Sequence, residues 1–219
     1  MTFFPIVPPG GVSGPPVLTF TDSVADATNG STYTFTNRAI GTASDFRMVV
    51  VAFSATEGGS GAGVFSSATI GGIAADLIVQ DTDSDRLAMI IAALVPTGTT
   101  ATIVVNLTNG KLRAGIAVYS VTNRTSTTAF ATSTDSGFSD GTTELAVPAN
   151  GCVVVAAACN NSAAMTTTGV TENFDALGET DRLGAGSLTG QSANPALAIS
   201  MNNGTAGMEI AAASWGSQA

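Results

Sequence analysis

Gly, Asn, Asp and Ser cut this chain into short runs of apolar and β-branched residues, and that punctuation constrains the fold more than any other feature. Runs this short suit strands. A helix needs an apolar repeat of three to four sustained over ten or more residues, and no stretch offers one convincingly. Ser66–Gln80, SSATIGGIAADLIVQ, is the clearest instance. Gly71-Gly72 predicts a two-residue hairpin loop, because such loops need positive φ at their centre and glycine adopts it without steric cost. Pairing about that step sets Ile70 against Ile73 and Ala68 against Ala75. It puts Ile73, Ala75, Leu77 and Val79 on one face and Ala74, Asp76, Ile78 and Gln80 on the other.

The same pattern runs through the rest of the chain. VLTFTDS and STYTFTNRAI alternate with period two around an Asn29-Gly30 turn signal, and RMVVVAFSAT (Arg47–Thr56) reads as a strand buried on both faces. RLAMIIAALVP has helical propensity, but its bounds, DTDSD and PTGTT, predict a strand. ATIVVNLTNGKLRAGIAVYSV predicts a hairpin about Asn109-Gly110. TELAVPANGCVVVAAACN, DRLGAGSLTG, PALAISMN and GMEIAAASW supply the remaining strands, and TENFDALGETD reads as a loop. The pattern gives about thirteen or fourteen strands. The expected fold is all-β, an antiparallel β-sandwich of jelly-roll type with an extended Pro-rich N-terminal arm. No exact internal repeat and no interior linker is visible, so residues 17–219 are read as a single β-sandwich domain behind an arm at 1–16.

That arm, MTFFPIVPPGGVSGPP, holds five of the eight prolines. Proline fixes φ and lacks an N–H, so the segment is neither helix nor central strand. It nevertheless carries Phe3, Phe4, Ile6 and Val7. These four are the expected partner-binding residues, lying on a neighbouring subunit, with folding back onto their own domain as the alternative.

Composition excludes whole classes of function. Seven basic residues face sixteen acidic ones, for a net charge of −9. Nucleic acids and anionic membranes are bound through Lys and Arg, so neither is an expected partner. There is no histidine, which removes the usual general base and zinc ligand. No enzymatic activity, cofactor or metal is expected. Asp81, Asp83 and Asp85 have the first spacings of a calcium loop, but Arg86 and Ile90 stand where the required Gly and a later ligand belong, so the EF-hand reading fails and a solvated acidic turn is expected. Glu57, Glu172, Asp175, Glu179 and Asp181 could supply a glycosidase pair only if two of them faced each other. Cys152 and Cys159 lie seven apart in one strand, hence on opposite faces and too far apart to pair, and read as small core residues. Trp215 reads as a core plug. No secretion signal or membrane span is visible, and only 11% of residues are charged, which suggests burial in an assembly.

Several stretches resemble a β-sandwich domain that recurs in virion proteins of tailed bacteriophages and phage-like particles. They are STYTFTNRAIGTASDFRMVVVAFSAT, FSSATIGGIAADLIVQ, IIAALVPTGTTATIVVNLTN, RAGIAVYSVTN and NGCVVVAAACNNS, with GMEIAAASW as a matching end. The TIGG hairpin followed by VPTGTTATIVV is the most specific part. The resemblance implies a non-enzymatic structural protein of a virion, an outer capsid decoration or minor capsid protein. Its partners would be the major capsid or other virion proteins, and it would itself be a homo-oligomer. The alternative is a tail-tip or fibre module that binds a host receptor or glycan. No residue with a chemical role carries over.

Overall fold

The computed structural model describes residues 12, 14–56, 63–83, 85–137, 141–159, 161–177, 181–204 and 207–218. Their regular structure is entirely strand. The first half contains β1 (Val17–Asp26), β2 (Gly30–Ala39), β3 (Met48–Thr56), β4 (Phe65–Ile70), β5 (Ile73–Ala74), β6 (Asp76–Thr82), β7 (Arg86–Leu94), β8 (Thr100–Lys111) and β9 (Arg113–Thr122). The second contains β10 (Ala131–Gly137), β11 (Gly141–Val147), β12 (Gly151–Cys159), β13 (Thr166–Thr168), β14 (Thr171–Leu177), β15 (Arg182–Gln191), β16 (Asn194–Asn202) and β17 (Met208–Trp215).

The two halves repeat one another. The five-stranded sheet of the first has the order β1-β9-β3-β7-β6, and that of the second β10-β17-β12-β15-β14. The smaller sheets run β2-β8-β4-β5 and β11-β16-β13. Pairing each strand with its counterpart turns one order into the other, with β5 as an addition. Register repeats too. Ala52 faces Ala117 between β3 and β9, and Ala156 faces Ala211 between β12 and β17. The bulge between Leu77 and Val79 in β6 recurs between Glu172 and Phe174 in β14, each opposite the equivalent pair of the neighbouring strand. All of these ladders are antiparallel.

The sheets stack in four layers, small–large–large–small, with an apolar core in each of the three gaps. Val49, Val51 and Phe53 of β3 point to the first core with Tyr33, Ile70 and Ile103. Met48, Val50 and Ala52 of the same strand point to the second with Val154, Ala156 and Ala211. Val153 and Val155 point to the third with Leu145, Ile199 and Met201. This is why β3, β7, β12 and β17 read as near-continuous apolar runs. The usual alternation of a half-solvated antiparallel strand is lost once both faces are covered.

The two large sheets meet about an approximate two-fold relation. β3 lies on β12; β6 lies on β10 and β17, while its counterpart β14 lies on β1 and β9; β7 lies on β12 and β17, while β15 lies on β3 and β9. Exchanging the halves maps these contacts onto one another, as in an isologous dimer. Small side chains, Ala156, Ala185, Ala211 and Ala213, line the second half's side of that gap.

The chain departs from its sequence-based reading in several places, among them the strand count, seventeen among the described residues against about thirteen or fourteen expected. Asn109-Gly110 is not a hairpin turn: it lies within β8, and the chain then corners at Leu112 so that β8 and β9 join different sheets. TENFDAL is not a loop but the edge strand β14. The strand returning from Gly71-Gly72 does not keep one face throughout. Both glycines have positive φ and Ile70 pairs with Ile73 as expected, but the chain leaves the small sheet at Ala75 and joins the large one as β6. Phe3, Phe4, Ile6 and Val7 lie outside the described residues.

Candidate functional site

Most of the groups that could do chemistry are buried or held by neighbours, while Glu172 lies exposed on the edge strand β14. Cys152 faces the second core and Cys159 the third; both are free and buried. Burial pushes the Cys152 thiol up to about 12 and raises that of Cys159. A thiol so seldom ionised is a poor nucleophile. Trp215 is buried in the second core and donates Nε1–H to the Thr127 carbonyl at 3.0 Å. Asp83 accepts from the amides of Asp85 and Arg86 and pairs with the Arg86 guanidinium, so the DTDSD segment closes on itself. Asp175 lies 3.4 Å from Arg182 and accepts from the Met165 amide, and Asp181 accepts from the Thr56 hydroxyl. Glu57 and Glu179 lie outside the described residues. Among the described residues no group of three or more His, Cys, Asp or Glu is placed to hold a metal ion.

One buried cluster crosses between the halves. Glu209 of β17 is buried, and Arg86 of β7 approaches it at 3.8 Å. Burial, and then the neighbouring Asp81 carboxylate of β6, push Glu209 up to about 8. Burial likewise raises Asp81, which shares a side-chain hydrogen bond with Glu209. Asp135 of β10 and the buried Lys111 also face the cluster. In a poorly hydrated place each carboxylate opposes the ionisation of the other.

A different surface lies at the end of the molecule where residues 123–130 join the halves. Asn123 has a left-handed φ of 62° and donates Nδ2–H to the Pro15 carbonyl at 2.8 Å, fixing the point where the described chain begins its first strand. The Arg124 amide donates to the Phe46 carbonyl. The Arg124 side chain is buried and its guanidinium donates to the carbonyls of Gly216, Ser126 and Thr128. Beside it opens a cleft of about 470 Å³ whose apolar walls are Ala129, Phe130, Pro148 and Ala149. Phe130 is 60% exposed, Val17 52% and Phe46 39%, which places three of the large exposed apolar side chains around this end.

Sequence reasoning found none of the residues of this end. Phe130 stands alone in TSTTAFATST with no apolar periodicity to mark it, and Phe46, Pro148 and Ala149 lie in turns. Glu209 did carry a signal: a single acid inside GMEIAAASW, in a strand otherwise fit for a core. Comparison of the chain with protein-family models, with curated proteins and with solved structures finds no match.

Proposed function

We propose that the chain is a non-enzymatic structural protein of a phage-like virion, an outer capsid decoration or minor capsid protein that attaches through contacts between subunits. The observation that carries this reading is a division of labour. Apart from the exposed Glu172, the ionisable and nucleophilic groups described above are buried or paired, while Val17, Phe46 and Phe130, three of the seven large exposed apolar side chains among the described residues, lie at the end where Pro15 is held. A catalyst needs the opposite arrangement, with polar groups converging in a concave site.

Two further observations support it. The order of strands in each half reads as a jelly roll whose fifth strand has moved to the edge of the larger sheet. β5 still pairs with β4, and β6, after the single residue Ala75, has crossed to β7. Stacked antiparallel sheets with three apolar cores also suit a rigid part whose task is to be built into something larger. The net charge of −9 supports a position away from packaged DNA, on an outer surface.

The test is electron microscopy of particles carrying a tagged copy, with copies counted. Many symmetric copies over the shell are expected. A handful at a tail tip would favour the receptor-binding alternative, and absence from particles would refute both.

A further inference from the structure

We infer that the end of the molecule around residues 123–130 is an interface between two copies of this chain, in which the Phe3–Val7 segment of one copy fills the cleft walled by Ala129, Phe130, Pro148 and Ala149 of the other. The inference rests on the assembly reading above and names its first partner.

Four observations converge on it. The cleft has apolar walls in Ala129, Phe130, Pro148 and Ala149, with the uncharged Thr128, Ser217 and Gln218 at its sides, and its one charged residue, Arg124, has its guanidinium committed to backbone carbonyls. An occupant of this cleft is therefore chosen by apolar area and not by charge. Residues 1–16 answer that description: they carry Phe3, Phe4, Ile6 and Val7 and no charged side chain.

The root of that segment is at the same end. Pro15 is held by Asn123, the residue before Arg124. From Pro15 back to Phe4 the chain can span about 36 Å when extended, enough to cross a contact between two molecules. Donor segment and acceptor cleft thus share one surface. Two copies facing each other through it can exchange segments reciprocally about a two-fold axis, and such a contact closes without leaving a free cleft.

Exposed apolar residues ring the exchange point. Val17 pairs with Thr122, Phe46 accepts from the Arg124 amide, and Phe130 forms the cleft wall. Val17 and Phe46 do not line the cleft, so filling it does not by itself account for them, whereas a second copy seated on this end would cover all three. Finally, copies carrying −9 each repel one another, so they must meet where carboxylates are sparse, and none lines this cleft. The prolines at 5, 8 and 9 favour an extended segment that loses little conformational freedom on docking.

The test uses the full chain in solution. Light scattering after size exclusion is expected to give a dimer at micromolar concentration. Deletion of residues 1–11 and, separately, Phe130→Asp are each expected to give a monomer with unchanged circular dichroism and thermal midpoint. Chains carrying Phe4→Cys mixed with chains carrying Ala149→Cys should yield a disulfide-linked pair on oxidation, since the native cysteines are buried. A monomeric full chain, a dimer indifferent to the deletion, or a double variant that closes its disulfide within one chain would overturn the inference. A dimer that forms as described but never joins particles would sink the assembly reading and leave this one standing. A monomer that decorates particles would do the reverse.

Discussion

Arg86 Nε and Glu209 Oε1 stand 3.8 Å apart across the seam between the two halves, one on β7 and the other on β17. Glu209 is buried, and Asp81 on β6 shares its environment. The Arg86 guanidinium is divided among Asp83, the Gly207 carbonyl and Glu209, and the buried Lys111, whose own charge burial disfavours, is the other cation facing the buried Glu209 and the half-buried Asp81. Burial raises both carboxyls and Asp81 raises Glu209 further, so the stability of the seam depends on pH.

Glu209 is raised by burial and then by Asp81, to about 8, and Asp81 is raised by burial. A carboxyl raised in the folded state contributes stability that is complete below its unfolded pKa and is lost as pH rises through the folded one. The thermal midpoint should fall between about pH 5 and pH 8, by roughly 4 °C or more. Glu209→Gln should flatten that slope. A midpoint that rises across this window would contradict the raised carboxyls.

The cysteines supply a second check. Both Cys152 and Cys159 should resist a thiol reagent in the native protein at pH 8 and react in denaturant. Burial raises both thiols and also denies the reagent access. Rapid native labelling of either would mean that the second or third core opens readily.

Arg47 is fully buried and donates to five carbonyls, of Ile40, Gly41, Val95, Thr97 and Gly98, tying the turn before β3 to the turn after β7. Arg47→Met keeps apolar bulk but strands those acceptors. The cost should be at least about 3 kcal/mol, read by urea denaturation, because each buried polar group left unpaired costs about 1–3 kcal/mol.

Gly115 on β9 sits against the other half. A Cβ there would lie 2.8 Å from the Phe174 ring and 3.1 Å from Leu183. Gly115→Ala should destabilise by about 1–3 kcal/mol through overpacking. Phe174→Leu made in the same chain should recover part of that loss, because the two residues share one contact. Additive effects would show that Gly115 matters for reasons other than the ring.

The sequence carried the class of structure and much of its detail. The glycine step at 71–72 and the odd spacing of Cys152 and Cys159 each report local geometry, which a few adjacent residues fix on their own. Asn29-Gly30, by contrast, is no hairpin turn, since Gly30 opens β2 and β1 and β2 join different sheets. Asn109-Gly110 shows the limit of such reasoning. Its dipeptide favours a hairpin, yet Gly30 pairs with Lys111 and draws the strand on past it. The duplication is the larger case. Val49–Ala52 and Val153–Ala156 are identical in sequence, but four residues common to many buried strands do not announce a repeat. It becomes visible only in matching strand orders, registers and bulges. What the sequence by itself determined was that this chain forms short antiparallel strands with apolar surfaces, because backbone geometry and side-chain alternation are local. Only the tertiary structure decided that two equivalent halves would cover each other's large sheets, bring Glu209 to Asp81, and leave a cleft with apolar walls near the point where Pro15 is held, because burial depends on residues a hundred positions apart meeting across a gap.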